Sequence, residues 1–245
     1  MLKRRLTPSV SRIRRSRCHT DPDELVWLFD LDNTLHDTSW RIFDAIRDGM
    51  TDAIMDLLDV SEETAHQMRH KYWSMYGATM IGLTKHHGVD PQTFLDRSHD
   101  FDVKQLVRAP RGLAQRLRKL QGRKILITNA PRLYATRVLK HLKMLHLFDG
   151  IWSVEDMRVF GHHRPKPSHS LLRYVLATEG IPAHRAVLVE DTLSNLHAAR
   201  AVGLKTVHVF HPGTPFAHPR RGRSLIVDLR VTKVEDLLLS KRPLR

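Results

Sequence analysis

Residues 25–29, LVWLF, are apolar at every position, and the run stops abruptly at Asp30-Leu31-Asp32. A strand without a single polar position has both faces covered, as strands do inside a parallel sheet flanked by helices. Two carboxylates then fall at its carboxyl end. Later runs repeat the pattern. KILIT at 124–128 leads into Asn129, and AVLVE at 186–190 leads into Asp191. Further strands are expected near GIWSV (150–154) and over KTVHVF (205–210). Helical spacing fills the intervals at 132–145, at 168 to about 179, and at 194–202, where Gly203 closes the helix. An apolar run, LIVDL at 225–229, and a short helix near 234–239 follow. Strand–helix alternation of this kind predicts an α/β protein with a Rossmann-like parallel sheet.

The texture differs between residues 37 and 108. Ile42, Phe43, Ile46, Met50, Ile54 and Leu57 recur at helical spacing, and strand-like segments are few. This predicts an inserted α-helical cap at 37–108, with the core made of 25–36 and 109–245.

Ligands of an open α/β sheet bind outside the carboxyl ends of its strands. The residues expected there are Asp30 and Asp32, Thr128 and Asn129, and Glu190 and Asp191. Four carboxylates at one place repel one another, so a cation is expected. Hard oxygen ligands without Cys or His favour Mg²⁺ on Asp30, Asp32, Glu190 and Asp191. A calcium EF-hand is excluded, because Leu35 stands where that loop needs Gly and Arg41 where it needs Glu. Helix capping alone would account for one acidic pair, not for three strand ends in register.

Phosphate chemistry suits this set. Thr128 and Asn129 can donate hydrogen bonds to phosphoryl oxygens. Lys166, between two prolines in RPKPSHS, can offset the charge of the nucleophile and of the transferring group. Asp30 is the expected nucleophile, and Asp32 the acid that protonates the leaving alkoxide and then the base that activates water. Leu31, Asn129, Tyr76 and Arg132 are the expected substrate contacts, with Tyr72, Thr79 and His36 as further candidates.

The formal charge of +14 is the unusual bulk property. The first 24 residues hold seven Lys/Arg against three Asp/Glu, a net +4, and are expected to be a disordered basic extension. That segment has no apolar stretch of the secretory kind. The remaining charge suits either nucleic acid or anionic small molecules. Without an aromatic-interleaved basic stripe, nucleic acid is not the expected partner, and a non-catalytic basic protein that binds RNA or another anion is the reading from a different class. The lone Cys18 excludes a disulfide framework and points to a reducing compartment, the cytoplasm. No apolar run approaches the ~20 residues needed to span a membrane.

DLDNT (30–34), ITN (127–129), Lys166 in RPKP and VEDT (189–192) together resemble the four ordered motifs of the haloacid-dehalogenase superfamily. The resemblance spans 25 to about 213 and implies a Rossmann-like core under a closing cap. In that superfamily an acid at the position of Asp32 implies phosphoryl transfer rather than dehalogenation. The Glu190–Asp191 pair is similar to the sugar phosphomutase branch, which keeps a sugar-phosphate phosphatase or mutase as the alternative. The cap segment 71–94 and the stretches around the first two motifs are similar to the pyrimidine 5′-nucleotidase subfamily. This implies a nucleoside 5′-monophosphate as the phosphate monoester.

Overall fold

The structure is a computed structural model of the 245-residue chain; it describes residues 24–38, 41–210 and 225–238. The basic N-terminal segment expected at 1–24 lies outside them except for Glu24. In chain order the elements are β1 (Val26–Phe29), α1 (Ile42–Leu58), α2 (Glu62–Tyr76), α3 (Thr79–His87), α4 (Pro91–Ser98), α5 (Val103–Leu106) and α6 (Leu113–Lys119). They continue with β2 (Lys124–Ile127), α7 (Arg132–His141), β3 (Gly150–Trp152), β4 (Arg158–Val159), β5 (His162–His163) and α8 (His169–Glu179). The last are β6 (Ala186–Glu190), α9 (Leu193–Ala201), β7 (Lys205–Val209) and β8 (Leu229–Val231).

Six strands form one parallel sheet in the order β3-β2-β1-β6-β7-β8. Period-two alternation sorts their side chains into two layers. Trp27, Phe29, Leu126, Val187 and Val189 pack on one side with Leu113, Tyr134, Val138 and Leu139 of α6 and α7. Val26, Leu28, Ile125, Ile127 and Leu188 pack on the other with Leu171, Val175, Leu196 and Ala199 of α8 and α9. Strand order reverses between β1 and β6, which opens a crevice at their carboxyl ends.

Helices α1 to α4 build a separate apolar cluster around Ile54, Tyr72, Leu83 and Phe94. Tyr72 lies so close to Gly82 that a β-carbon there would meet its ring. The two connections to this helical unit cross at an antiparallel bridge between Asp37 and Arg108. Val103 and Val107, which the sequence assigned to the insert, pack with the sheet layer instead. Among the described residues no helix is long and apolar enough to cross a membrane.

Three local expectations shift. Helix α7 stops at His141 rather than at 145, because Lys143 adopts a left-handed conformation at φ 56° and Met144 N–H closes onto Leu139 O at 2.8 Å. The last strand begins only at Leu229, the final residue of the apolar run. Asp228 fixes that start, its carboxylate accepting from Thr206 N–H at 2.8 Å and from Arg200. The β4–β5 hairpin has no counterpart in the sequence reading. Its turn residues, Phe160 and Gly161, both have positive φ, 50° and 83°, as a two-residue turn of this hand requires.

Candidate active site

The floor of the site is made by strand ends. Asp30 follows β1 and stays in register through its N–H on Val189 O at 3.0 Å. Glu190 is the last residue of β6, and Thr128 follows β2 with its N–H on Trp152 O at 2.9 Å. Lys166 reaches them from the loop between the β4–β5 hairpin and α8. Its Nζ donates to Asp30 Oδ1 and to Glu190 Oε2, both at 2.7 Å. All three side chains are buried.

Asn129, which lines the cavity, also ties down the backbone of that lysine. Its Nδ2 donates to Lys166 O at 3.0 Å, and its Oδ1 accepts from Lys166 N–H at 2.9 Å. Thr128 Oγ1 accepts from Ala130 N–H at 3.1 Å, which leaves its proton available to donate into the site.

The charges on this floor do not balance. Burial, then neighbouring Glu190, pushes the Asp30 carboxyl up to about 7, with Lys166 opposing. Burial likewise pushes Glu190 up to about 7; Lys166 opposes this and Asp191 adds to it. Burial works against the Lys166 ammonium, but Asp30 and Glu190 outweigh it and hold the lysine above its usual value. One ammonium serves a cluster in which oxygens of Asp30, Glu190 and Asp191 all lie within 4.8 Å of one another. Crowded hard oxygens without His or Cys fit a cation of the Mg²⁺ type.

Asp32, expected as a fourth ligand, is not in that cluster. Its Oδ1 accepts from Tyr134 Oη at 2.8 Å and from His36 Nε2 at 3.0 Å. Oδ1 accepts from the Tyr134 hydroxyl, and taking it as the acceptor from His36 too assigns that ring's proton to Nε2. His36 is buried against Asp32 and does not line the cavity above the floor.

Above the floor is a cavity of about 460 Å³, which Asp30, Asp32, Thr128, Asn129, Lys166, Glu190 and Asp191 share with the helical unit. Its far wall is Phe43, Ile46, Met50, Trp73, Met80, Phe94 and Leu95, with Thr79 and His99 among them. Burial lowers the His99 imidazole to about 4, so this ring is neutral near pH 7. Among the described lining residues Lys166 is the one Lys or Arg.

Three expected substrate contacts, Leu31, Tyr76 and Arg132, are not among the residues that line this cavity. The Leu31 side chain is fully buried in the sheet layer. The Tyr76 hydroxyl pairs with His86 Nε2 at 2.7 Å, and the residue does not line the cavity. The Arg132 guanidinium is held by Asp156 and by Ile151 O at 3.1 Å. Tyr72 is spent on His87 in the same way as Tyr76 on His86. The sequence reading missed Trp73, His99 and Tyr134. Trp73 and His99 carry no local signal, whereas Tyr134 is the one polar group in the stripe Tyr134, Ala135, Val138 and Leu139 that α7 buries.

The model of the haloacid dehalogenase-like hydrolase family matches residues 27–209, which span every residue of this floor. The chain belongs to that family. Among curated relatives it is 26% identical over 204 residues to phosphate metabolism protein 8 of Saccharomyces cerevisiae, covering 78% of this chain and 62% of that protein. It is 27% identical over 222 residues to a phosphoglycolate phosphatase of Pseudomonas syringae pv. tomato, covering 83% of this chain and 76% of that one. Among solved structures, CbbY from Rhodobacter sphaeroides in complex with phosphate superimposes with a TM-score of 0.60 at 18% identity, covering 87% and 96% of the two chains. That likeness concerns the fold of these hydrolases.

Proposed function

We propose that this hydrolase is a magnesium-dependent phosphomonoesterase working through a phosphoryl-Asp30 intermediate, with a pyrimidine nucleoside 5′-monophosphate as the best-fitting substrate. The observation that carries the reading is Lys166 Nζ at 2.7 Å from both Asp30 and Glu190, at the ends of adjacent strands, with Asp32 two residues further on. The names of the yeast and pseudomonad relatives agree with phosphate-ester chemistry.

Lys166 Nζ donates to Asp30 Oδ1 at 2.7 Å and Thr34 Oγ1 to Oδ2 at 3.4 Å, and the Asp30 carboxylate they orient attacks phosphorus. As the Asp30–phosphorus bond forms, the bond to the leaving oxygen breaks, and Asp32 gives its proton to that oxygen. Asp32 then takes a proton from water, which attacks phosphorus, releases inorganic phosphate and returns Asp30 as a carboxylate. Thr128 donates to a phosphoryl oxygen, and Lys166 offsets charge on Asp30 and on the transferring group. Magnesium held by Asp30, Glu190 and Asp191 supplies the positive charge that this acidic floor lacks.

The cavity wall supports the substrate class. Its volume, about 460 Å³, suits a small-molecule site, which typically encloses ~300–1,000 Å³. Trp73 and Phe43 offer aromatic faces, and the described wall has no cation to receive a carboxylate or a second phosphate. Phosphoglycolate would bring a second anion into a cavity whose described lining holds no Lys or Arg beyond Lys166.

Phosphate release from UMP, CMP, AMP, a hexose phosphate and phosphoglycolate, each with magnesium and with EDTA, tests this. Pyrimidine nucleotides are expected to exceed phosphoglycolate in kcat/KM by at least about tenfold, and EDTA to abolish release. A preference for phosphoglycolate, or isomerisation of the sugar phosphate without release, would overturn the substrate assignment.

A further inference from the structure

Tyr134 comes from the first turn of α7, and its side chain is 1% exposed. A buried phenol needs one acceptor, and a nearby main-chain carbonyl would serve. Here the hydroxyl crosses 102 positions of sequence to donate to Asp32 Oδ1 at 2.8 Å. His36, from the turn after β1, donates to the same oxygen at 3.0 Å. No described residue donates to Oδ2, and the Asp32 side chain keeps 23% of its surface exposed on the cavity side. The phenol remains a donor, because burial and then the Asp32 charge push its ionisation well above the usual value.

We infer that Tyr134, with His36, is a positioning residue that clamps Asp32 Oδ1 and so commits Oδ2 to carry the proton between leaving group and water. The inference rests on Asp32 being the acid/base of the proposed reaction. A carboxylate held at one oxygen by two donors on rigid elements cannot swing towards Asp191 or rotate Oδ1 into the cavity without losing both bonds. The Tyr134 ring is itself fixed between His99 and Phe101, with centroids at 5.4 and 5.9 Å. Both residues belong to the return segment from the helical unit, so the clamp lies where cap and core join. In the first half-reaction the Oδ2 proton passes to the leaving oxygen as the P–O bond breaks. In the second, Oδ2 receives one proton from water.

A leaving group that needs the proton is sensitive to the clamp, and one that departs as a stable anion is not. The test is the pre-steady-state burst of phenol release from phenyl phosphate and from 2,4-dinitrophenyl phosphate, with magnesium, in wild type and Tyr134→Phe. The burst isolates the first half-reaction from the later role of Asp32 as base. The ratio of the phenyl to the dinitrophenyl burst rate is expected to fall about tenfold, a part of the ~10²–10⁴-fold that acid–base help supplies. A ratio within twofold of wild type overturns the inference, whatever happens to the absolute rates, since a merely structural role slows both esters alike. His36→Phe is read by the same ratio should Tyr134→Phe fail to melt cooperatively, with His36→Gln, which keeps a donor, expected to restore it. A wild-type protein that hydrolyses neither ester sinks the phosphatase reading itself, which is a different result from an unchanged ratio.

Discussion

The floor and the far wall of the cavity are built on opposite principles. On the floor Asp30, Lys166 and Glu190 are buried charges locked by short bonds at the ends of β1 and β6 and in the loop before α8. The wall from α1 to α4 holds aromatic and aliphatic side chains with the neutral His99, and no charged group among its described members. Buried charges are costly and persist where function or pairing holds them. An apolar wall costs nothing to keep and is shaped by size alone. The difference divides the labour: the floor specifies a reaction, and the wall specifies what the phosphate is attached to.

If that division holds, changes on the floor destroy turnover and changes on the wall redistribute substrates. Asp30→Asn is expected to lower kcat by about 10⁴-fold or more. Asp32→Asn, outside the acidic cluster, is expected to keep magnesium binding by calorimetry and lose roughly 10³-fold in kcat. Substantial activity in the first variant, or lost magnesium binding in the second, would break the comparison on its floor side.

Metal-free protein should show the unbalanced charge directly. Asp30 and Glu190 sit near 7 in the fold, above the ~4 of an ordinary carboxylate. A raised carboxyl favours the folded state while it is protonated. Its contribution is therefore complete below about 4 and lost as pH rises through 7. Stability in EDTA should fall between about pH 4 and pH 7, and magnesium should restore it where the carboxylates are charged. Thermal melts are expected to show a magnesium-dependent rise in Tm of roughly 5 °C at pH 8 with metal at about 100 times its Kd, and little at pH 5. Equal rises at both pH values would contradict the charge account.

The smallest effect belongs to the wall. Trp73 is 52% exposed at the cavity, and Trp73→Ala is expected to raise KM for UMP about fivefold, the scale of one aromatic stacking contact. A loss confined to kcat would mean that the wall takes part in chemistry.

The same contrast explains what could be read before the structure. Strand ends are punctuated in sequence: LVWLF stopping at Asp30, KILI at Thr128 and AVLV at Glu190 announce both the sheet and its crevice, because topology forces parallel strands to end together. Nothing comparable marks the wall. Tyr76 and Trp73 lie three residues apart on α2, yet Tyr76 turns to His86 while Trp73 faces the cavity. Helix–helix packing decides that, and periodicity does not separate the two. Arg132 beside ITN has the charge of a phosphate ligand, but Asp156 and Ile151 O claim it across a turn invisible in the sequence. The bonds from the Asn129 amide to the Lys166 backbone were not legible, since that loop folds back onto it only in three dimensions.

The central claim is that Asp30 becomes phosphorylated during turnover. Wild-type protein mixed with a saturating phosphate ester and magnesium, acid-quenched within the burst and digested, should yield a phosphorylated peptide containing Asp30, absent in Asp30→Asn and lost on alkaline treatment. Steady release of inorganic phosphate with no phosphorylated Asp30 peptide at any quench time would contradict the account.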